Sequence, residues 1–355
     1  MRDNARMKAY EVGDYAKSGK LRLVQRSDPE PGAGEALVRV KVTGPNARDF
    51  AIWTTGMWHP PAAATFIPLC DVAGDVISVG ANVTEVVRGD RVTMIHYSRW
   101  LDGKWDASMR DEDFAHTRDG FLRELAVVPA NALVRIPDNL SYEHAATLPS
   151  AGLTAWQAVV EEGHLKPGAT MVTIGTGGVS IFALQWAKML GARVIVTSSS
   201  DEKLARMREL GADETINYRD TPNWYEAVLA LTGGRGAELV INNVGLAELD
   251  QCLESCRSGA RIMYIGASPV TSNRVASSGV VPKRLGLLII RDLTIKGIVV
   301  GSRRMMVDLV KALEEHDFRP IIDRVYEFDQ ANEALEYFAK GRKIGKVMIR
   351  VAAGD

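Results

Sequence analysis

The stretch MVTIGTGGVSIFALQWAK (171–188) decides the fold. It opens as an apolar β-type run, passes through a knot of glycines, and continues with the spacing of an amphipathic helix. A strand that enters a helix through glycines leaves free backbone N–H groups and the positive end of the helix dipole at one point. A phosphate is held there without any basic side chain. Gly175 ends the strand, Gly177 lets backbone approach a pyrophosphate, and the helix begins near Gly178 and Val179. The turn departs from G-x-G-x-x-G because Ser180 holds the last position, so taken alone it also describes a tight turn that binds nothing.

Its surroundings favour the binding reading. Helix 178–190 stops at Gly191, RVIVTSS (193–199) reads as a strand, and helix 201–210 stops at Gly211. SSDE (199–202) fits a capping box, with Ser199 bonding forward and Glu202 reaching back. TINY (215–218), PNWYEAVLAL, AELVINNV (237–244), LDQCLESC and ARIMYIG (260–266) continue the alternation, and LTIKGIVV (293–300) reads as a late strand. Alternating βα units of this length make an α/β fold with a parallel sheet covered on both faces, and the glycine turn opens the first of them. That placement points to a dinucleotide.

An NAD site usually ends its second strand in Asp or Glu, which grips the ribose 2′-OH. Here that strand ends in Thr197, Ser198, Ser199 and Ser200, which tolerate a 2′-phosphate, and Lys203 one turn on supplies positive charge. This favours NADP. Asp201 could instead reach a ribose, although its place suits the first turn of a helix. Lys203 could equally be a solvated helix lysine.

The rest of the chain sets bounds. Its 355 residues exceed one ordinary core and suit two domains, which implies a cleft. A charged fraction of 25% with formal net charge -1 is that of a globular protein and advertises neither nucleic-acid nor membrane binding. The opening MRDNARMKAY has no hydrophobic signal region, and three cysteines (Cys70, Cys252, Cys256) suit a reducing, cytoplasmic setting. Cys252 and Cys256 are spaced one helical turn apart; with no further Cys or His near enough to complete a tetrahedral site, they read as small core residues. Residues 21–145 show short β runs, ALVRVKVTG, DVAGDVISVG, GDRVTMI and FLRELAVV, separated by turn residues. The polar segment 98–119, with its two tryptophans, reads as a long surface loop and a candidate lid.

Nearly the whole chain resembles the medium-chain dehydrogenase/reductase superfamily. The resemblance rests on VRVKVTGPNARDFAI (38–52), IPLCDVAGDVISVGANVTEVVRGDRV (67–92), DGFLRELAVVPANALVRIPDNLSYEHAATLPSAGLTAW (119–156), the glycine turn, LGADETINYR (210–219) and GRKIGKVMI (341–349). It implies a GroES-like β-rich catalytic domain, residues 1–150 completed by 301–355, and a Rossmann doubly wound parallel-sheet domain at 151–300. It also implies hydride transfer by a nicotinamide cofactor, and a homodimer through Rossmann sheet edges, for which LTIKGIVV is a plausible edge.

Zinc-dependent members of the superfamily carry a Cys in the early segment, a Gly-His-Glu in the next, and a further Cys or acid before the Rossmann domain. This chain has Asn46, CDVAGD (70–75) and Ser150 at those places, so no soft ligand set remains, and the structural-zinc lobe of four cysteines is absent. The six histidines, His59, His96, His116, His144, His164 and His316, show no paired spacing. Without a Lewis acid a simple ketone is polarised by hydrogen bonds alone, whereas an enone or quinone already spreads the incoming charge. The zinc-free branch resembling quinone oxidoreductases and enone reductases is therefore the better match. A zinc-free alcohol dehydrogenase on a bulky or aromatic alcohol, and a catalytically silent NADPH-binding protein, remain as alternatives.

Carried over by resemblance, Gly175, Gly177, Gly178 and Val179 face the pyrophosphate, and Ser199, Lys203, Tyr218 and Arg342 surround the adenosine phosphate. Thr154, Asn243, Ile265, Gly266 and Val299, Val300, Gly301 and Ser302 line the ribose and nicotinamide. For substrate, Asn46 is a donor to a developing oxyanion or a turn residue after Gly44-Pro45, and Arg48 with Asp49 is equally readable as an ion pair. Trp53, Trp58, Tyr97 and Trp100 form a candidate aromatic pocket or pack as anchors, and Tyr97 is the candidate proton donor.

Overall fold

The computed structural model describes residues 6–13, 15–55, 65–266, 282–316 and 318–352. Trp58 and His59 lie outside them. The chain divides into two compact units, residues 1–153 with 301–355, and residues 154–300. Among the described residues no helix is long and apolar enough to cross a membrane.

In the first unit β1 (Arg6–Glu11) and β2 (Arg22–Ser27) pair as an antiparallel ribbon. The main sheet is built on β3 (Glu35–Thr43), which pairs with β4 (Ala73–Val79) and, across its first half, with β6 (Leu125–Pro129). β5 (Arg91–Met94) follows β4 and leads to β7 (Leu133–Arg135). Alternation explains β3: Ala36, Val38 and Val40 are buried, while Arg39 between them faces out.

The second unit is one parallel sheet. Its strands are β8 (Thr170–Ile174), β9 (Arg193–Ser198), β10 (Glu214–Asn217), β11 (Ala237–Asn242), β12 (Cys256–Tyr264) and β13 (Thr294–Gly297). They lie in the order β10-β9-β8-β11-β12-β13, the Rossmann order, in which direction reverses between β8 and β11. Val172, Ile195, Val240 and Ile262 are all fully buried, as a sheet covered on both faces requires. Helix Gly178–Met189 buries Phe182 and Trp186. Its end is fixed by Gly191 at φ 74, and the next helix, Asp201–Glu209, ends before Gly211 at φ 101. The cysteine pair departs from the helical spacing. Cys252 closes on helix Leu249–Ser255, whereas Cys256 opens β12 and donates its thiol to the Cys252 carbonyl at 3.1 Å.

The chain then returns to the first unit. β14 (Ile322–Glu327) and β15 (Lys346–Arg350) join the main sheet, with β15 antiparallel to β3. Helix Ala331–Ala339 buries Ala331, Ala334 and Leu335 on the core that holds Trp53 and Ile349.

Segment 98–119 is not the free loop its composition suggests. A 3-10 turn at Ala107–Glu112 and bridges Tyr97 to Asp113 and Phe114 to Arg118 give it internal structure. Arg48 Nη2 bonds Asp113 Oδ2 at 2.6 Å with both side chains buried, and Phe114 stacks on Phe121. Buried aromatics and a buried ion pair pin the segment, which rules out a lid along its whole length.

Candidate functional site

In the second unit the glycine turn sits at the reversal of strand order. Gly175 has φ 88, which only glycine adopts without strain, and a Cβ on Gly177 would meet no atom within 4 Å. Helix Gly178–Met189 starts on Gly177 with no side-chain cap. An open face and uncapped amides fit a pyrophosphate. Ser180, at the place of the third glycine, donates its hydroxyl to the Ile174 carbonyl at 3.0 Å.

The other expected cofactor residues fall into two groups. Asn243 and Gly266 meet at the ends of β11 and β12, where a Cβ on Gly266 would lie 2.2 Å from the Asn243 carbonyl. Ile265 and Gly266 both donate their N–H to the Asn242 carbonyl. Ser199 and Tyr218 stand at the ends of β9 and β10, held together by the Tyr218 N–H to Ser198 carbonyl bond. The helix cap, however, is Ser200, whose hydroxyl accepts from the Lys203 N–H, so the expected cap at Ser199 shifts by one residue. Asp201 is occupied by Asn217 Nδ2 at 2.9 Å, an alternative to reaching a ribose. Arg219, next to Tyr218 and exposed, is a further cation at this edge that the sequence reading passed over.

Val299 is half-buried and Val300 buried at the end of the second unit, and Thr154, at its start, is 4% exposed. Arg342 is exposed in the first unit. Gly301 and Ser302 carry structural duties there. A Cβ on Gly301 would sit 2.6 Å from Leu153 Cγ, and Ser302 caps helix Arg303–Glu315.

The first unit brings Asn46, Cys70, Asp71 and Ser150 together. Asn46 Nδ2 donates to Asp71 Oδ2 at 2.9 Å and faces Cys70 Sγ at 3.8 Å, and the Ser150 N–H donates to Asp71 Oδ1 at 3.1 Å. Two residues missed in the sequence complete the group. Lys346, at the start of β15, reaches Asn46 Oδ1 and Asp71 Oδ2, each at 2.7 Å, and the Pro45 carbonyl at 3.1 Å. Asp49 Oδ2 accepts the Asn46 N–H at 2.7 Å, while its Oδ1 has no partner. The available signal was a lone lysine heading an apolar strand, KVMI.

Backbone geometry aims this cluster inward. Leu69 is fully buried at φ 70, a region a leucine rarely adopts, and turns Cys70 and Asp71 inward together. DGFL (119–122) clamps the turn. The Phe121 N–H bonds the Leu69 carbonyl at 2.7 Å, and Asp119 Oδ1 accepts the Ile67 N–H.

Burial sets the proton states. It raises Asp49 to about 7 against the opposing pull of Arg48. It pushes the Cys70 thiol well up, so Cys70 is not a thiolate. His96 is lowered to about 3 by burial and by Arg48, and neither of its ring nitrogens has a partner. Burial, then Asp113, also raises the Tyr97 phenol, which keeps its proton.

A divalent cation does not fit this donor set. The two nearest oxygens already accept from an ammonium, Cys70 is the one thiol beside them, and no group of three metal-ligating side chains occurs among the described residues.

The aromatic residues separate. Trp53 packs on Tyr15 and Phe50 at ring distances of 5.1 and 5.2 Å within the core, while Trp100 packs on Trp105 and donates to the Gly103 carbonyl. Tyr97 lies between His96 and Trp105. Trp53 and Trp100 are thus packing residues rather than the walls of one pocket.

Comparison with known proteins follows the same division. The alcohol dehydrogenase GroES-like domain family matches residues 32–138, and the zinc-binding dehydrogenase family matches residues 178–315. A zinc-type alcohol dehydrogenase-like protein of Schizosaccharomyces pombe is 39% identical over 95% of this chain and 96% of its own. A solved structure from Sinorhizobium meliloti, provisionally named an alcohol dehydrogenase, superposes with a TM-score of 0.89 at 39% identity, covering 99% of this chain and 100% of that one. An acryloyl-coenzyme A reductase of Metallosphaera sedula is 28% identical over 97% of this chain and 99% of its own. The chain belongs to the medium-chain dehydrogenase/reductase superfamily and is an oxidoreductase of that group.

Proposed function

We propose that the protein is a zinc-independent, NADPH-dependent reductase of conjugated C=C bonds or quinones. The observation that carries this is the donor set at Asn46, Cys70, Asp71 and Ser150, which presents an amide donor backed by a lysine where a metal would otherwise act. Hydrogen bonds alone suit an acceptor that already delocalises charge. The likeness to an acryloyl-coenzyme A reductase, a name that denotes reduction of a conjugated C=C bond, supports the same class.

Reduced nicotinamide supplies the hydride. The chain's own part is to hold the pyrophosphate on the amides of Gly177, Gly178 and Val179 and the 2′-phosphate on Ser199, Lys203 and Tyr218. Asn46 donates to the acceptor oxygen as negative charge gathers there.

Incubation with NADPH and a panel of enones, quinones and ketones tests this reading. Turnover of enones or quinones supports it; oxidation of alcohols by NADP with no enone or quinone turnover would replace it with the alcohol dehydrogenase reading that several relatives' names carry. Binding of NADPH with no turnover on any acceptor would indicate the silent binder.

Pairing of two chains along β13 belongs to the same proposal. This strand is at the sheet edge, and Ile289 and Ile290 before it are 88% and 78% exposed. Sedimentation of Ile289→Lys tests it: the wild-type chain should run as a dimer and the variant as a monomer.

A further inference from the structure

Lys346 is 2% exposed, and its amine is the hub of the polar cluster in the first unit. An ammonium has three N–H donors, and all three are taken, by Asn46 Oδ1, Asp71 Oδ2 and the Pro45 carbonyl. Lys346 therefore has no donor left for a substrate. Its effect passes through Asn46.

Because Asn46 Oδ1 accepts from the ammonium, the amide NH2 is forced to the opposite side. One of its hydrogens goes to Asp71 Oδ2 at 2.9 Å. The other meets only Cys70 Sγ at 3.8 Å, a weak acceptor on a protonated thiol. That N–H is a donor in the cluster without a strong partner, and a cation held on the amide oxygen strengthens it.

We propose that Lys346 is a built-in cation at the place where zinc-bearing members of the superfamily hold their metal, a positioning residue that orients and polarises Asn46 for the reaction. The proposal rests on the reductase reading above. With the hydride that reduced nicotinamide would supply, a C–H bond forms at the far end of the conjugated system. The C=C electron pair shifts to the adjacent bond toward the carbonyl carbon, and the C=O π pair moves to the acceptor oxygen. Asn46 Nδ2 donates to that oxygen, and a proton from water then completes the neighbouring carbon.

The test compares wild type with Lys346→Met and with Lys346→Met/Asp71→Asn, which leaves no unpaired charge should the single variant fail to fold. Thermal unfolding and NADPH fluorescence titration establish that each variant is folded and binds cofactor. In a folded variant kcat should fall by about 100-fold or more with the KM for NADPH within about twofold, and more steeply for enones than for quinones. Loss of kcat within about threefold, or an equal loss on every acceptor, would overturn the proposal. Zinc content is a separate readout. Wild-type protein dialysed against zinc and then buffer should retain none, and one zinc per chain would overturn the proposal whatever the activity. Failure of the reductase reading shows differently, as absence of enone and quinone turnover in the zinc-free wild type.

Discussion

Asn243 Nδ2 donates to Ser180 Oγ at 2.9 Å, tying the end of β11 to the first turn of the helix that follows β8. The serine that breaks the glycine fingerprint is thus a fastener across the point where strand order reverses. Ser180→Gly completes the fingerprint on paper and removes two hydrogen bonds in the fold, one to the Ile174 carbonyl and one from Asn243. Each is worth about 1 kcal/mol, and glycine in a helix costs about 1 kcal/mol more. The variant should be destabilised by about 2–3 kcal/mol in denaturant unfolding and bind NADPH more weakly; unchanged stability would show that the fastener is idle.

The strand end at Ser199 and the following helix make a second prediction. Lys203→Ala should weaken NADPH by about 10- to 100-fold, the worth of one charge-assisted hydrogen bond. NADH affinity should stay within about twofold. Equal losses for the two cofactors in fluorescence titrations would remove Lys203 from the 2′-phosphate.

Asp49 predicts a pH dependence of stability. Its folded value of about 7 lies above the ordinary 3.8, so the folded chain keeps a proton that the unfolded chain releases. Its stabilising contribution is complete below about pH 4 and is lost as pH rises through 7. The charged groups acting on it are Arg48, Asp71 and Lys346, and the Asn46 N–H bonds it. Asp49→Asn keeps an acceptor for that N–H and removes the titration. Wild type minus variant should therefore fall between pH 4 and 7 in denaturant midpoints. His96, lowered to about 3, gives the opposite slope in both proteins and cancels. Parallel curves would contradict the assignment.

The sequence made much of this legible because its signals are local. Gly175, Gly191 and Gly211 mark a turn and two helix ends by the conformations they alone accept, and each sits where spacing put it. Ser200 took the cap from Ser199 because two adjacent serines offer the same hydroxyl, and only backbone dihedrals choose between them. Segment 98–119 misled because Arg48, which pins it through Asp113, lies 65 residues away. Lys346 was hidden for the same reason: its contacts with Asn46 and Asp71 span 300 and 275 residues, and no window of sequence sees them.

Gly120 offers a test of the strained turn before Cys70. A Cβ there would come within 2.5 Å of the Leu69 and Pro68 carbonyl oxygens, both backbone atoms that cannot rotate away. Gly120→Ala should cost about 1–3 kcal/mol and lower turnover by displacing Cys70 and Asp71. NADPH binding at the glycine turn and Lys203, which lie in the other unit, should be spared. A variant with full stability and turnover would mean the turn does not depend on that close approach.

The most direct measurement is the fate of the hydride. With NADPH deuterated at the transferred position and an enone as acceptor, the product should carry deuterium on the carbon β to the carbonyl, with the carbonyl intact. Deuterium on the carbinol carbon of an allylic alcohol would contradict the account, because it would place the hydride on the C=O and make the protein a carbonyl reductase.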